Sequence, residues 1–300
     1  MRALRFSAYG GPEVLTWGDA PEPHAGAGRI RVAVRAASVN GMDRKTLAGT
    51  MSRGQPLAGP GFLGYDAAGV VDEVGEGVTG AFVGDEVFGI GRSTQAEYAV
   101  LRSWALKPPS VDWAAAAAAG VAGETSERGL RLLHVAAGTT VFVDGGAGGV
   151  GAVAVQMAVA RGARVIASAS EEDHHHLRGI GAVPVRYGAG VADRVRAAAG
   201  DHVDAVFDVA GRTSVDELIS LVREPSQVLS IANFTADRAG ARVSSGGADS
   251  RPVQALAEVA DLLAHGTLRI RVQVFPIDRG ADAYRALQDG HVRGKVVLVR

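Results

Sequence analysis

The sequence predicts an α/β protein in which a doubly wound parallel sheet is inserted into a β-rich domain. Three observations carry that prediction. The opening third of the chain consists of short apolar runs bounded by glycine. From Val141 such runs alternate with helical stretches, and the tail from Leu268 returns to strand-like patterning. A chain of 300 residues also suits two domains of about 150 residues each. The expected partition is 1–115 plus 266–300 for the β-rich domain and 116–265 for the inserted one.

Taken in order, strand-like runs cover 30–39, 67–74, 86–90 and 97–101, each bounded by Gly or Gly-Asp. Pro108-Pro109 breaks the chain before an alanine-rich helical stretch around Ala114 to Ala122. Strand-like Val141-Phe142-Val143 leads through a glycine loop into a helical run from Val150 to Arg161. A strand over Arg164 to Ala169 feeds a helix through Leu177. Val203–Asp208, Ser214–Val222, Gln227–Ala232 and Pro252–Ala264 continue the alternation. Leu268–Phe275, a short helix and Lys295–Val299 complete the chain.

Composition removes several function classes. Lys plus Arg number 31 against 32 Asp plus Glu, a net charge of −1, so no basic excess exists to neutralise a nucleic-acid backbone. No cysteine occurs, which excludes disulfides, iron–sulfur clusters, thiolate zinc sites and thiol nucleophiles. Met1 to Pro12 lacks a signal-peptide apolar segment, and no uncharged apolar run reaches the roughly 18 residues a membrane span requires. A soluble, cytoplasmic protein with no membrane partner is expected. Glycine, at 41 residues, is about twice its average usage and points to tight turns and close backbone approaches. His174-His175-His176 reads as a solvated helix face, because successive helical residues diverge by about 100° and cannot converge on one ion.

The chemistry concentrates in Gly146-Ala147-Gly148-Gly149-Val150-Gly151, a G-x-G-x-x-G pattern that follows a strand and opens a helix. Glycine is needed there for the tight turn, for close approach of a pyrophosphate to the backbone, and for packing of helix on strand. The free amides and partial positive charge of the helix N-terminus complete a phosphate site. Strand, loop, helix and second strand together predict a Rossmann dinucleotide-binding unit. The second strand ends Ala167-Ser168-Ala169-Ser170 rather than in the acid usual for the ribose 2′-hydroxyl of NAD. Ser168 and Ser170 are therefore read as donors to a 2′-phosphate, and NADP(H) as the cofactor. Glu171-Glu172-Asp173 follows directly and is read as first-turn acids favoured by the helix dipole.

Beyond the loop the chain carries Ala37-Ser38-Val39-Asn40-Gly41-Met42-Asp43, Gly64-Tyr65-Asp66-Ala67-Ala68-Gly69-Val70-Val71, Val74-Gly75-Glu76-Gly77-Val78 and Val83-Gly84-Asp85-Glu86-Val87. Ala96-Glu97-Tyr98 and Gly290-His291-Val292-Arg293-Gly294-Lys295 follow. On these segments the chain resembles, nearly end to end, the zinc-free quinone oxidoreductase branch of the medium-chain dehydrogenase/reductases. It implies a Rossmann doubly wound parallel sheet inserted into a β-rich GroES-like domain. It also implies hydride delivery from NADPH to a quinone or activated C=C bond, and a homodimer paired through an edge strand near Val228. Zinc-dependent relatives place ligands near 41 and 66, where this chain has Gly41 and Asp66; no metal site is expected. By the same resemblance Thr125, Gly146, Gly148, Gly149, Val150, Gly151, Tyr187, Ala210, Ile231 and Ala232 bind cofactor. Asn40 and Lys45 face the substrate and, with Tyr65, are the candidate donors to an enolate oxygen. Two rivals stand beside that reading: a tailoring reductase for one biosynthetic intermediate, and a cofactor-binding protein without turnover.

Overall fold

The computed structural model describes every residue except Arg53 and His291; His291, in the Gly290–Lys295 segment, thus lies outside the described residues. The chain opens with β1 (Arg2–Phe6), β2 (Thr16–Asp19), β3 (Ile30–Val39), α1 (Gly41–Leu47), β4 (Gly61–Phe62), β5 (Asp66–Val74), β6 (Glu86–Arg92), β7 (Tyr98–Leu106) and α2 (Trp113–Leu132). There follow β8 (Thr140–Asp144), α3 (Gly151–Ala160), β9 (Arg164–Ala169), α4 (His174–Gly179), β10 (Ala182–Arg186), α5 (Val191–Ala199), β11 (Ala205–Asp208), α6 (Val215–Ile219), β12 (Val228–Ser230) and β13 (Arg242–Val243). The last elements are α7 (Pro252–Ala264), β14 (Val272–Pro276), α8 (Gly280–Gln288) and β15 (Lys295–Val299).

Two units result, 1–121 with 252–300 and 122–251. These boundaries replace the expected ones at 115/116 and 265/266. The reason is physical: α2 is one uninterrupted alanine-rich helix spanning the first crossing, and α7 packs along β7. Neither crossing carries the composition of a linker. Alanine's low side-chain entropy cost keeps α2 continuous, and Asp112 Oδ1 accepts the Ala115 amide at its start (2.8 Å).

In the first unit β14-β15-β3-β5-β6-β7 form a sheet, and an additional β3–β7 pairing closes β3-β5-β6-β7 on itself. β3 shows why it is a strand. Ile30, Val32 and Val34 are buried in one core, while Arg31 and Arg35 lie on the other face. A separate β2-β1-β4 sheet covers a second core of Leu4, Phe6, Val39, Leu63, Tyr284 and Leu298. The segment after β3 folds as α1, a helix that the sequence pattern did not reveal because seven residues are too few to show a helical period. β1, β2 and β10 likewise lie where no strand was read.

The second unit is a wholly parallel sheet in the order β10-β9-β8-β11-β12-β13. Phe142, Ile166, Val206 and Val228 pack in its core with Val195 and Leu218. Burial on both faces explains why these strands read as continuous apolar runs. β12, which begins at Val228, is not an edge. β13 pairs with it through Leu229↔Arg242 and Ser230↔Val243, so the edge-strand argument for a homodimer near Val228 does not apply.

Candidate functional site

In the parallel sheet the order of strands reverses its growth between β8 and β11. Ligands of doubly wound sheets bind outside the strand carboxyl ends at that reversal. β8 enters the glycine loop there, and α3 leaves it at Gly151. The turn itself is made by Gly145, at φ +93, a residue the G-x-G-x-x-G match does not include. A Cβ on Gly146 would lie 2.6 Å from the Ala167 methyl, and one on Gly151 only 2.1 Å from the Gly145 carbonyl oxygen. Those two glycines pack loop and helix against the sheet. Gly148 differs: it is exposed, and its Cβ would meet only the Gly145 oxygen, at 3.3 Å. Among the described residues the Gly149 and Val150 amides donate to no protein acceptor. An open cradle with unspent amides at a helix start fits a dinucleotide pyrophosphate.

The neighbouring strand ends are fixed by two carboxylates that sequence reasoning did not single out. Asp208 Oδ1 accepts the Ala210 (3.0 Å) and Gly211 (2.7 Å) amides, and its Oδ2 accepts the Ser230 hydroxyl (2.6 Å). The Ser230 oxygen in turn accepts the Ala232 amide (3.2 Å), and the Ile231 amide donates to the Asp208 carbonyl (3.0 Å). Ala210, Ile231 and Ala232 are thus held at the carboxyl ends of β11 and β12. Asp144, 2 % exposed, accepts the Ser168 hydroxyl at 2.5 Å.

That contact corrects one expectation. Ser168 is wholly buried, donates to Asp144 and accepts the Gly145 amide (2.8 Å). Its hydroxyl is spent within the protein and is not offered to a 2′-phosphate. Ser170 is half-buried, its hydroxyl donating to Asp173 (3.2 Å). Tyr187 is 50 % exposed just beyond β10. Arg186 beside it pairs with Glu171 at 3.5 Å, which offsets one of the acids after β9.

Thr125 lies in a buried polar turn of α2. Arg128 Nε pairs with Glu124 Oε1 (3.0 Å), Arg128 Nη1 donates to the Ser244 hydroxyl (2.6 Å), and the Ser250 hydroxyl donates to Glu124 (2.5 Å). The Thr125 hydroxyl touches both partners only at long range, 3.4 Å from Glu124 and 3.5 Å from Arg128. Burial of these charges is accounted for because each has its partner.

The first unit gathers the other predicted residues. Asp66, fully buried at the start of β5, accepts Ser38 Oγ (2.6 Å) and Asn40 Nδ2 (2.9 Å) on Oδ1 and the Val121 amide (2.8 Å) on Oδ2. Asn40 Nδ2 also lies 3.3 Å from the Ser38 oxygen, and Asn40 Oδ1 accepts Lys295 Nζ at 2.5 Å. The amide nitrogen and the carbonyl of Asn40 are therefore both engaged within the protein, which makes it an organiser of this cluster. Asp43 caps α1 by accepting the Asn40 (2.8 Å) and Gly64 (2.6 Å) amides. Burial pushes its carboxyl up to about 7, the two amides and Lys295 opposing that rise and Asp66 adding to it. Burial lowers the Lys295 ammonium, against Asp66 and Asp43. Tyr65 and Lys45 are both half-buried, and the Tyr65 hydroxyl lies 3.3 Å from Thr46 Oγ1 on α1, the helix that carries Lys45.

The chain is similar to known proteins along its whole length. Residues 26–109 match the model described as Alcohol dehydrogenase GroES-like domain, and residues 180–298 the one described as Zinc-binding dehydrogenase. The chain is 30% identical over 318 residues to the NADPH-dependent alkenal/one oxidoreductase, chloroplastic, of Arabidopsis thaliana, spanning 99% of this chain and 79% of that one. The solved quinone oxidoreductase of Coxiella burnetii superposes with a TM-score of 0.85 at 29% identity, over 100% of this chain and 99% of that one. A mycobacterial protein solved in complex with NADPH gives 0.84 at 26% identity over the full length of both.

Proposed function

Because the chain belongs to the medium-chain dehydrogenase/reductase superfamily, in its quinone oxidoreductase-like branch, we propose that it is an NADPH-dependent oxidoreductase. Its substrates are a quinone or an activated C=C bond such as that of an enone. The observation that carries this reading is the glycine cradle, with the unspent Gly149 and Val150 amides, at the reversal point of the parallel sheet. When bound, the nicotinamide supplies the hydride. The loop amides hold the pyrophosphate. Lys45 and Tyr65 are the side chains proposed to stabilise the oxygen on which negative charge develops, a contribution of about 3–4 kcal/mol for one well-placed donor. Asn40, at the start of α1 and hydrogen-bonded to Asp66 beside Tyr65, positions the segments that carry them.

Preference for NADPH is supported by the residues after β9. Ser170 stands where an NAD site would carry an acid, Glu171 is paired with Arg186, and the exposed Arg186 and Tyr187 are available to a 2′-phosphate. Metal-independent chemistry is supported by the donor set. Position 41 is glycine, the chain has no cysteine, and the Asp66 carboxylate already accepts three hydrogen bonds.

The test pairs NADPH and NADH fluorescence titrations with turnover on p-benzoquinone and a small enone panel, before and after exhaustive chelation. Tenfold or more tighter NADPH binding is expected, the worth of one charge-assisted hydrogen bond of about 1.5–3 kcal/mol. Chelation should leave turnover intact. Zinc-restored activity would overturn the metal-independent reading and bring alcohols, whose oxidation needs a Lewis acid to hold the alkoxide, into the substrate range. NADPH binding without any turnover would favour a cofactor-binding protein or a single specialised substrate.

A further inference from the structure

We propose that Asp144 is a positioning residue that serves the dinucleotide as a neutral carboxylic acid, and that its ionisation weakens the grip of the glycine loop on the cofactor phosphates. The proposal rests on reading that loop as the cofactor site.

The geometry begins with two carboxylates at the reversal point. Asp144 ends β8 and Asp208 ends β11, and the two stand in register on neighbouring parallel strands. Among the described residues neither joins an ion pair. They are nonetheless unequal. Asp208 accepts three hydrogen bonds shared over both oxygens, the donor set of an ionised carboxylate. Asp144 accepts one on Oδ1, from Ser168, and its buried Oδ2 has no partner in hydrogen-bond geometry among the described residues, the Thr213 hydroxyl being near but outside that geometry. An ionised carboxylate with a bare, buried oxygen beside a second negative charge is strongly disfavoured, whereas the acid form removes that charge.

The groups that face Asp144 come from four places. Burial is the largest influence and raises its pKa; Asp208 on β11 and Glu217 on α6 add like charge in the same direction. The Ser168 hydroxyl on β9 and Thr213 after β11 oppose them.

The protonation state reaches the loop through Ser168. The hydroxyl that donates to Asp144 also accepts the Gly145 amide at 2.8 Å, and the Ser168 carbonyl accepts the Gly146 amide at 2.9 Å. The first two amides of the glycine loop are therefore tied to the residue that reads Asp144. A dinucleotide adds negative charge at this strand end, which favours the neutral acid further. By linkage, binding takes up a proton wherever free Asp144 has begun to ionise, so affinity falls as pH rises, by at most tenfold per pH unit.

The experiment measures the NADPH Kd by fluorescence across neutral pH for the wild type, Asp144→Asn and Asp144→Ala, with infrared spectra of the same proteins free of cofactor. The wild type should bind more weakly as pH rises. Asp144→Asn, a permanently neutral isostere, should keep the low-pH affinity and show a flatter profile. Asp144→Ala should bind weakly throughout. The 2′-phosphate of NADPH titrates alike in all three, so the difference between the wild type and Asp144→Asn isolates the carboxyl. The wild-type spectrum should contain a protonated-carboxyl band that Asp144→Asn lacks. Parallel pH profiles for these two, or no such band, overturn the proposal and leave the cofactor site standing. Failure of the wild type to bind NADPH at any pH overturns both. If Asp144→Asn does not fold, the protonated-carboxyl band that remains in Asp43→Asn must lose strength with the same midpoint as the NADPH affinity of that variant; separate midpoints overturn the proposal.

Discussion

A Cβ at position 148 would meet only the Gly145 carbonyl oxygen, at 3.3 Å, a contact that a shift of a few tenths of an ångström relieves, so a side chain there costs the fold little and obstructs a bound pyrophosphate. Gly148→Val should therefore lose NADPH binding by a hundredfold or more, roughly 3 kcal/mol, with circular dichroism and thermal midpoint unchanged. Gly151→Val is a poorer probe, since its Cβ would sit 2.1 Å from a backbone oxygen and the fold would suffer with the site. A normally binding Gly148→Val protein would remove the cradle from the cofactor site. A second prediction concerns the substrate side: Lys45→Ala should slow enone reduction by 10²–10³ if Lys45 is the main oxyanion donor, with NADPH affinity retained. An unchanged turnover number would pass that role to Tyr65 or to backbone amides. The loop motif was legible in sequence because strand, glycines and helix are adjacent. Gly145 and Ser168 were not, because their roles depend on Asp144 and on each other across the 23 residues that separate them.

Among the elements, α2 shows how far pattern reading extends. Its alanines announced a helix, but no local pattern accounts for Glu124, Glu127 and Arg128 within it. Only the fold explains them: Ser244 and Ser250, more than a hundred residues on, complete the shell around the Glu124–Arg128 pair. Breaking such a buried pair from one side leaves an uncompensated charge, at a cost of about 3–5 kcal/mol. Arg128→Met should be destabilised by that order in urea unfolding. The double variant Arg128→Met/Glu124→Gln should recover part of the loss, because neither member of the pair then leaves a charge without its partner. Equal stability of the single variant and the wild type would mean that water reaches the pair. β12 teaches the complementary lesson. Its strand character was readable from local sequence, but its place inside the sheet was set by the two residues of β13, too short a run to register as a strand.

For the molecule as a whole, the strongest pH response should come from the buried cluster around α1. Unfolded, Asp43 titrates near 3.8; folded, burial raises it to about 7. Between those values the folded state holds the extra proton, so the stability that Asp43 contributes is complete below 3.8 and is lost as pH rises through about 7. Asp144 is shifted the same way. Lys295 is shifted down from 10.5, so its contribution runs the other way and recovers as pH climbs towards the unfolded value. The thermal midpoint should therefore fall from about pH 5 to about pH 8 and level off at higher pH. Asp43→Asn removes the titrating group but keeps one acceptor for the Asn40 or Gly64 amide. It should melt lower than the wild type at acid pH and show a shallower decline, with part of the slope left to Asp144. Differential scanning calorimetry across that range decides the matter. A slope identical in the two proteins would mean that Asp43 titrates where an exposed aspartate does, and that the capping amides of Asn40 and Gly64 outweigh its burial.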